Sequence, residues 1–547
     1  MEDNQEHRRR RRRLAGIVPR PILAVTFFAL LGLRLSVNAH LTPACLRWAI
    51  TAALCVCLLS ALLIRVKRPG VSVACRVIAT AMLYLSLSVG AWVRGAMWAE
   101  DRRAASLDAY VDQTVELIGH VSSDPQHYAN KTDGTERWRF DFIVDRVRVP
   151  PESWQARHAN VDVLWFNHTD GLRPVYGPEL SIFNTKVRRP RYERAYSSDL
   201  RISTGAGDAV MLSEGGGNPI LAQCYRARGQ AAHSLSIGLG DFPREMGLMH
   251  ALLLGQRSAL DKNITELAVR TGTVHIFAVS GLHLGILVGI IVFILNACRI
   301  PRPHWVLLLG PLLMGYTMMV GARSSAVRAC IMALIYFAAS GVGRRADIPS
   351  AVAAAALLIV LWDPGQLFDV GFLFSFVVVL GLIVFCPLLW RFVSPWVTRD
   401  ELTADFLVER QDRMWLTVRK YVLGLLVVSI AAWMASTPLT AHFFGRVTPI
   451  ALFGNLVVIP ITFMLVLSGS ISIVTGSILP LVADIYNHAS LVLVTVLVEV
   501  LKWMSLIPYG SADVLPWPLW LVYVSYACLA ILAVTLYAYM ERLEKDT

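Results

Sequence analysis

The stretch Thr271-Gly-Thr-Val-His-Ile-Phe-Ala-Val-Ser-Gly-Leu-His-Leu-Gly-Ile-Leu287 decides how the rest of the chain is read. It opens a hydrophobic run, yet it carries two histidines, His275 and His283, and a Ser280-Gly281 pair. Such groups seldom face lipid, because hydrocarbon offers their hydrogen-bonding atoms no partner. They require a bundle interior or an aqueous cavity. The segment therefore predicts a polar, helix-breaking site inside an otherwise apolar bundle.

Composition supplies the class. Of 547 residues, 55% are hydrophobic and only 16% are charged, whereas soluble chains carry about a quarter charged residues. Apolar runs recur, each near the ~20 residues that cross a bilayer as a helix. This is the composition of a polytopic membrane protein. The formal charge of +12 resembles a nucleic-acid footprint, but its location points to membrane topology. Between positions 100 and 240, 17 Lys/Arg stand against 18 Asp/Glu. The excess lies at 8–13, Arg65-Val-Lys-Arg68, Arg344-Arg345 and 391–420, short segments flanking apolar runs, where basic residues mark the cytoplasmic side. Eight of the nine cysteines sit in or beside apolar runs and act as small hydrophobes. Cys224 alone falls in the polar region, so no disulfide forms within it, and no CxxC spacing occurs. The basic N-terminus runs into a long apolar stretch without a small-residue cleavage site, which reads as a retained first span.

Three early runs, 21–37, 44–64 and 73–98, predict a three-span membrane segment over 1–99. With a cytoplasmic N-terminus, the following region is extracytoplasmic. There the period changes to two: Arg137-Trp-Arg-Phe-Asp-Phe-Ile-Val144 alternates as a half-buried strand does. Shorter runs at 111–121, 160–167 and 179–187, separated by turn-rich segments, predict an OB-like β domain over 100–217. Residues 218–274 read as amphipathic, interfacial helices. From 275 to 547 nine further runs (275–297, 305–320, 325–342, 350–362, 368–391, 421–444, 450–474, 482–504 and 517–540) predict a transmembrane helical bundle. The expected fold is thus a polytopic α-helical membrane protein with about twelve transmembrane helices and an inserted small β-barrel. The count returns the C-terminus to the cytoplasm.

Ser280 and His283 lie three residues apart, which invites a hydrolase reading. No GxSxG elbow is present, and no acidic residue lies nearby to orient the histidine, so no catalytic residue is assigned. No carboxylate or Cys completes a metal site with the two histidines, and neither metal nor cofactor is expected. Ser-Gly permits close helix packing, with Ser280 bonded to backbone.

Several ordered motifs carry a family resemblance. His275-Ile-Phe-Ala-Val-Ser-Gly-Leu-His-Leu-Gly285 resembles the hallmark of the ComEC competence-protein family. Upstream, Ala251-Leu-Leu-Leu-Gly-Gln-Arg-Ser258 and Gly272 are similar to that family's preceding elements. Downstream, so are Ser325-Ala-Val-Arg328 with Met332, Gly343-Arg344, Asp363-Pro364, Gly371-Phe-Leu-Phe-Ser-Phe376, Thr437-Pro-Leu439, Phe443-Phe-Gly445, and Asn455 with Pro460. The resemblance covers about 246–508 and makes the bundle competence-type. Two departures stand out. Leu373 replaces the family's glutamine. The HxHxDH-type cluster of the metallo-β-lactamase-like domain that many members carry does not occur in this sequence, so strand-degrading activity is expected either from a separate nuclease or not at all.

The resemblance implies a non-enzymatic inner-membrane channel component that passes single-stranded DNA into the cytoplasm during natural transformation. It also implies a separate DNA receptor and a cytoplasmic ATPase, since no P-loop is present, and it leaves a homo-oligomer open. Such a path needs cations or dipoles facing phosphates. The candidates are His275, Ser280, Gly281, His283, Arg323, Arg328 and Asn455, with helix interruptions expected at Ser280-Gly281 and at Asn455…Pro460. For Arg328, in an apolar run, a pore role and an ion pair with Asp363 or Asp369 both stand. The patch of Lys186, Arg188, Arg189, Arg191 and Arg194, with Tyr192 and Tyr196 interleaved, is either a solvated loop or a DNA contact. Two other functions fit the same scaffold: a permease for another substrate, and a membrane assembly subunit whose soluble domain docks a partner.

Overall fold

The structure, a computed structural model, describes Thr26, Leu30 and residues 88–98, 107–129, 136–167, 174–189, 200–213, 217–256, 260–277, 279–344, 346–397 and 410–546. The chain divides into two compact units, Met1–Ala105 with Ile331–Asp369, and Ser106–Cys330 with Val370–Thr547.

The larger unit begins with the β region. Strands β1 (Thr114–Val121), β2 (Gln126–Ala129), β3 (Glu136–Arg148), β4 (Gln155–Asn167), β5 (Glu179–Arg188), β6 (Leu200–Gly205) and β7 (Ala209–Ser213) share one sheet. The order β1-β3-β4-β6-β5 closes through a β5–β1 pairing into a five-stranded barrel, with β2 added to β3 and β7 to β5. β4 and β6 run parallel; the other ring pairs are antiparallel. Val115, Leu117, Phe142, Val163, Trp165, Ile182 and Ile202 point inward and are fully buried, as period two demands. The expected barrel is therefore present. The alternation that predicts β1, β3, β4 and β5 does not extend to β6, the fifth ring strand. Buried Asp162 on β4 accepts from Arg139 Nε on β3 at 2.8 Å and from Arg201 Nε on β6 at 3.0 Å, tying three strands together.

The helices follow in order: α1 (Pro219–Ser236), α2 (Pro243–Leu254), α3 (Lys262–Arg270), α4 (Gly281–Ala297), α5 (Trp305–Met319), α6 (Ser324–Gly341), α7 (Ile348–Trp362), α8 (Val370–Val393), α9 (Arg410–Phe444), α10 (Ala451–Thr475), α11 (Pro480–Ser505) and α12 (Leu519–Asp546). Asn218 caps α1, its side chain accepting from the Ile220 N–H at 2.9 Å. Segment 218–274 supplies α1 to α3, and their apolar residues enter the main core. Leu235, Leu248, Leu252 and Ile264 pack with Leu465 and Val466 of α10 and Val494 and Leu497 of α11. The last carbonyls of α1 have no partner within their own helix. Fully buried Asn487 of α11 supplies one, its Nδ2 donating to Ser234 O at 2.8 Å and Ile237 O at 2.9 Å. Its Oδ1 accepts from Ser472 Oγ of α10 at 2.6 Å.

All nine runs predicted after residue 275 contain helix, and six of these helices meet the length and apolarity of a membrane span. Among the described residues six helices are long and apolar enough to cross a membrane: Ser324–Gly341, Val370–Trp396, Met414–Phe444, Ala451–Thr475, Pro480–Ser505 and Leu519–Met540. Helices α4 and α7 are apolar but shorter. The first begins six residues later than expected, because 275–277, 279 and 280 are not helical. The early spans 21–37 and 44–64 lie outside the described residues apart from Thr26 and Leu30, and only 88–98 of the third is described, as helix.

In the smaller unit, Asp347 caps α7 through the Ser350 N–H at 3.1 Å. Arg94 of helix 88–98 donates to the Trp362 carbonyl at 3.3 Å. Trp98 covers Gly365 so closely that a β-carbon there would run into the indole.

Candidate functional site

The histidine-rich segment is a break between helices. After α3, Thr271 and Thr273 are fully buried with hydroxyls 2.9 Å apart, and Gly272 turns the chain at φ +71°. A β-carbon on Gly272 would lie 2.6 Å from Thr448 Oγ1 and 3.1 Å from the Ala451 β-carbon, so only glycine allows this approach to α10. His275 is exposed beside the turn, its Nδ1 3.2 Å from Gly272 O. Helix α4 then starts at Gly281 with Ser280 as N-cap.

Ser280 and His283 close a capping box. The Ser280 N–H donates to His283 Nδ1 at 3.3 Å, and Ser280 Oγ lies 3.1 Å from the same nitrogen. A nitrogen that accepts a backbone N–H carries no proton, which places the proton of the neutral ring on Nε2. That atom is buried and has no hydrogen-bond partner among the described residues.

Three further helix ends meet this start. Helix α2 ends at Gly255, φ +70°, packed against Val279 and the Val320 carbonyl. Helix α5 gives way at Val320 to two positive-φ residues, Gly321 and Ala322, and α6 starts at Ser324. Side chains fasten these ends together. Arg323 donates to Gly255 O at 3.1 Å, Tyr316 Oη to Leu253 O at 3.1 Å, and Ser325 Oγ to Val279 O at 2.7 Å. Gly281 faces Ala329 of α6 at van der Waals distance. Two helix N-termini, each a positive dipole end, thus lie together. Arg323 precedes α6 and Arg328 sits in its second turn. Arg328 is 3% exposed, and its Nε donates to Ser375 Oγ of α8 at 3.1 Å. That bond joins two of the sequence motifs, Ser325–Arg328 and Gly371–Phe376.

Of the candidates read from the sequence, Ser280, Gly281, His283, Arg323 and Arg328 are brought together by these contacts. His275 lies at the entrance to the segment. Asn455 is half-buried, one turn along α10 from Ala451, with its Oδ1 lacking a protein partner among the described residues. The interruption expected at Asn455…Pro460 is not there: α10 continues through Pro460. Thr462 Oγ1 bonding to Val458 O at 2.8 Å reinforces the helix beside the proline, a local compensation usual in apolar helices. On the barrel, Lys186 and Arg188 point outward from β5, and Arg189 lies 3.6 Å from Asp108. Arg191 and Arg194 lie outside the described residues.

Residues 252–539, which contain helices α4, α5 and α6 of this break and the last three residues of α2, match the family model described as Competence protein. The chain belongs to the competence protein family. Among curated relatives, ComE operon protein 3 of Bacillus subtilis (strain 168) is 26% identical over 230 residues, 42% of this chain and 26% of that protein. Recombination protein 2 of Haemophilus influenzae (strain ATCC 51907 / DSM 11121 / KW20 / Rd) is 26% identical over 237 residues, 40% of this chain and 27% of that protein. The matched part thus covers about a quarter of each relative. No solved structure matches. As a competence-family chain with several helices able to cross a membrane, this is a multi-pass membrane protein.

Proposed function

We propose that this competence-family protein is the inner-membrane channel component that passes single-stranded DNA into the cytoplasm during natural transformation. One observation carries the reading: two arginines and two helix N-termini gather at a break among apolar helices, inside the segment that defines the family. A strand crossing a bilayer must exchange the hydration of each phosphate for other donors. Arg323, Arg328 and the first N–H groups of α4 and α6 are donors of that kind. The OB-like barrel, with Lys186 and Arg188 on its outer face, would meet the strand before the bundle does. No catalytic step is assigned to this chain. His283 Nδ1 accepts the Ser280 N–H, so it is not available as the base for the Ser280 hydroxyl. A separate receptor would deliver DNA, and a separate cytoplasmic ATPase would draw it in.

Uptake of radiolabelled DNA into a nuclease-protected cytoplasmic pool tests the proposal in a strain shown to be competent. Deleting the gene should abolish uptake; unchanged uptake sinks the reading. Arg328→Ala should lower uptake at unchanged protein abundance, with Arg328→Lys between the two. If abundance falls in step with uptake, Arg328 is a structural residue.

A further inference from the structure

A second cationic centre lies where the barrel meets the bundle. Arg228, on α1, is 2% exposed. One guanidinium nitrogen, Nη1, donates to Asp124 Oδ2 at 2.7 Å, while Nε and Nη2 are buried with no hydrogen-bond partner among the described residues. Asp124 belongs to the loop joining β1 to β2. The loop is held in shape by Ser122 N–H donating to Asp141 O at 2.9 Å, Asp141 N–H to Ser123 Oγ at 2.8 Å and Gln126 Nε2 to Asp124 O at 3.2 Å. On the other side, the turn at Gly321 approaches Arg228, and Arg323 is close enough for its charge to act against that of Arg228. Two guanidinium groups therefore lie close together, and the Asp124 carboxylate pairs with that of Arg228. Burial holds the Asp124 carboxyl above its usual range and Arg228 below its own, both despite their pairing. Burial also pushes the Tyr225 phenol up to about 12.

We propose that Asp124 and Arg228 form a latch for a backbone phosphodiester of a single nucleic-acid strand, whose oxygens replace the Asp124 carboxylate on Arg228 and engage Arg323. Carboxylate and phosphodiester fit the same guanidinium fork, and two phosphate oxygens can use donors that one carboxylate leaves idle. Displacing Asp124 frees the barrel loop from the bundle, so strand arrival would be coupled to barrel release. The choice of a nucleic-acid strand rests on the proposed DNA-conduit reading; the unused donors and the displaceable carboxylate do not.

The test uses the full chain in phosphatidylcholine nanodiscs with a fluorescein-labelled oligo(dT) of 20 nucleotides, read by polarisation across a KCl series. Asp124→Asn, which removes the competing carboxylate, should bind severalfold more tightly than wild type. Arg228→Gln should bind about tenfold more weakly and flatten the salt slope by about one. The double variant carries neither charge and should fold like wild type while binding like Arg228→Gln. That variant keeps the test decisive if Asp124→Asn alone unfolds. The latch is overturned if Asp124→Asn binds no more tightly in folded form, or if Arg228→Gln or the double variant binds as wild type does. It is also overturned if, in nanodiscs containing phosphatidylglycerol, the variants change lipid retention and leave oligonucleotide affinity alone; the site then belongs to a lipid headgroup. Parallel uptake assays separate the two ideas. Shifted binding in vitro with normal uptake in the deletion strain removes the conduit and leaves the latch. Abolished uptake in the deletion strain with unshifted binding removes only the latch.

Discussion

At residue scale, His283 is the most constrained group of the break, because its Nδ1 completes the cap of α4. His283→Ala should destabilise the protein by about 1 kcal/mol, the usual worth of a helix cap. His283→Gln should recover most of that loss, since glutamine at this position is an ordinary capping-box residue. Thermal unfolding in detergent measures both, and equal loss in the two variants would show that imidazole packing matters more than the cap. Gly272→Ala meets two obstacles, a positive φ and the Thr448 hydroxyl 2.6 Å from the new β-carbon. It should cost more than ~1 kcal/mol, and a neutral effect in the same assay would refute the close approach. The polar break itself was legible, because His and Ser-Gly have no place in a lipid-facing helix. The cap was not, because histidine stands where Glu or Gln usually signals one. Arg228 was also hidden: it lies in a polar stretch, and only its helical stripe with Ala231, Ala232 and Leu235 points to burial.

At the scale of elements, the barrel has one weak seam. β6 pairs with β4 over six residues and with β5 through only Val187–Ile202 and Arg188–Arg201. Among the five ring strands its amides should exchange first in native-state hydrogen exchange, and Asp162→Ala, which loosens Arg201, should hasten exchange in β6 more than in β1. Uniform exchange around the ring would contradict this. The same features explain why β6 escaped the sequence reading. Leu-Arg-Ile-Ser-Thr-Gly is short, and its main partner is a parallel strand distant in sequence. The antiparallel ladder of β8 (Arg446–Val447) with β9 (Ala512–Asp513) offers a pH test. Arg446 Nε donates to Asp513 Oδ1 at 2.6 Å, and this hydrogen bond holds the Asp513 carboxyl below its ordinary value. A lowered carboxyl contributes stability above the unfolded value of 3.8, and the contribution disappears as pH falls through the folded value. Exposure of Asp513 keeps the effect small. Asp513→Asn should make amide exchange in the β8–β9 ladder insensitive to acid below pH ~4, whereas unchanged acid sensitivity would assign the titration elsewhere.

At the scale of the molecule, Asn487 links segments more than two hundred residues apart in sequence. Asn487→Leu leaves the Ile237 carbonyl without its Asn487 donor, at about 1–3 kcal/mol, while Ser234 O keeps the Ile237 N–H and Ser472 Oγ, each at 3.4 Å. It should also split one thermal transition into two, followed by barrel and bundle tryptophans, and a single shifted transition would show that apolar packing alone couples the two regions. The sequence made the bundle and barrel visible but not their joint. Hydropathy reports which segments are apolar, and it is silent on which buried asparagine completes which distant helix end.

That joint has a mechanical consequence. Helix α1 has 18 residues and is therefore about 27 Å long. It is fixed at its start by the Asn218 N–H donating to Tyr176 Oη at 2.9 Å, near its middle by Asp124, and at its end by Asn487. A rod held at three points neither swivels nor stretches as a flexible tether would. Tension on the barrel would reach α11 as a displacement of nearly the same size, so α1 serves as a pushrod between the two.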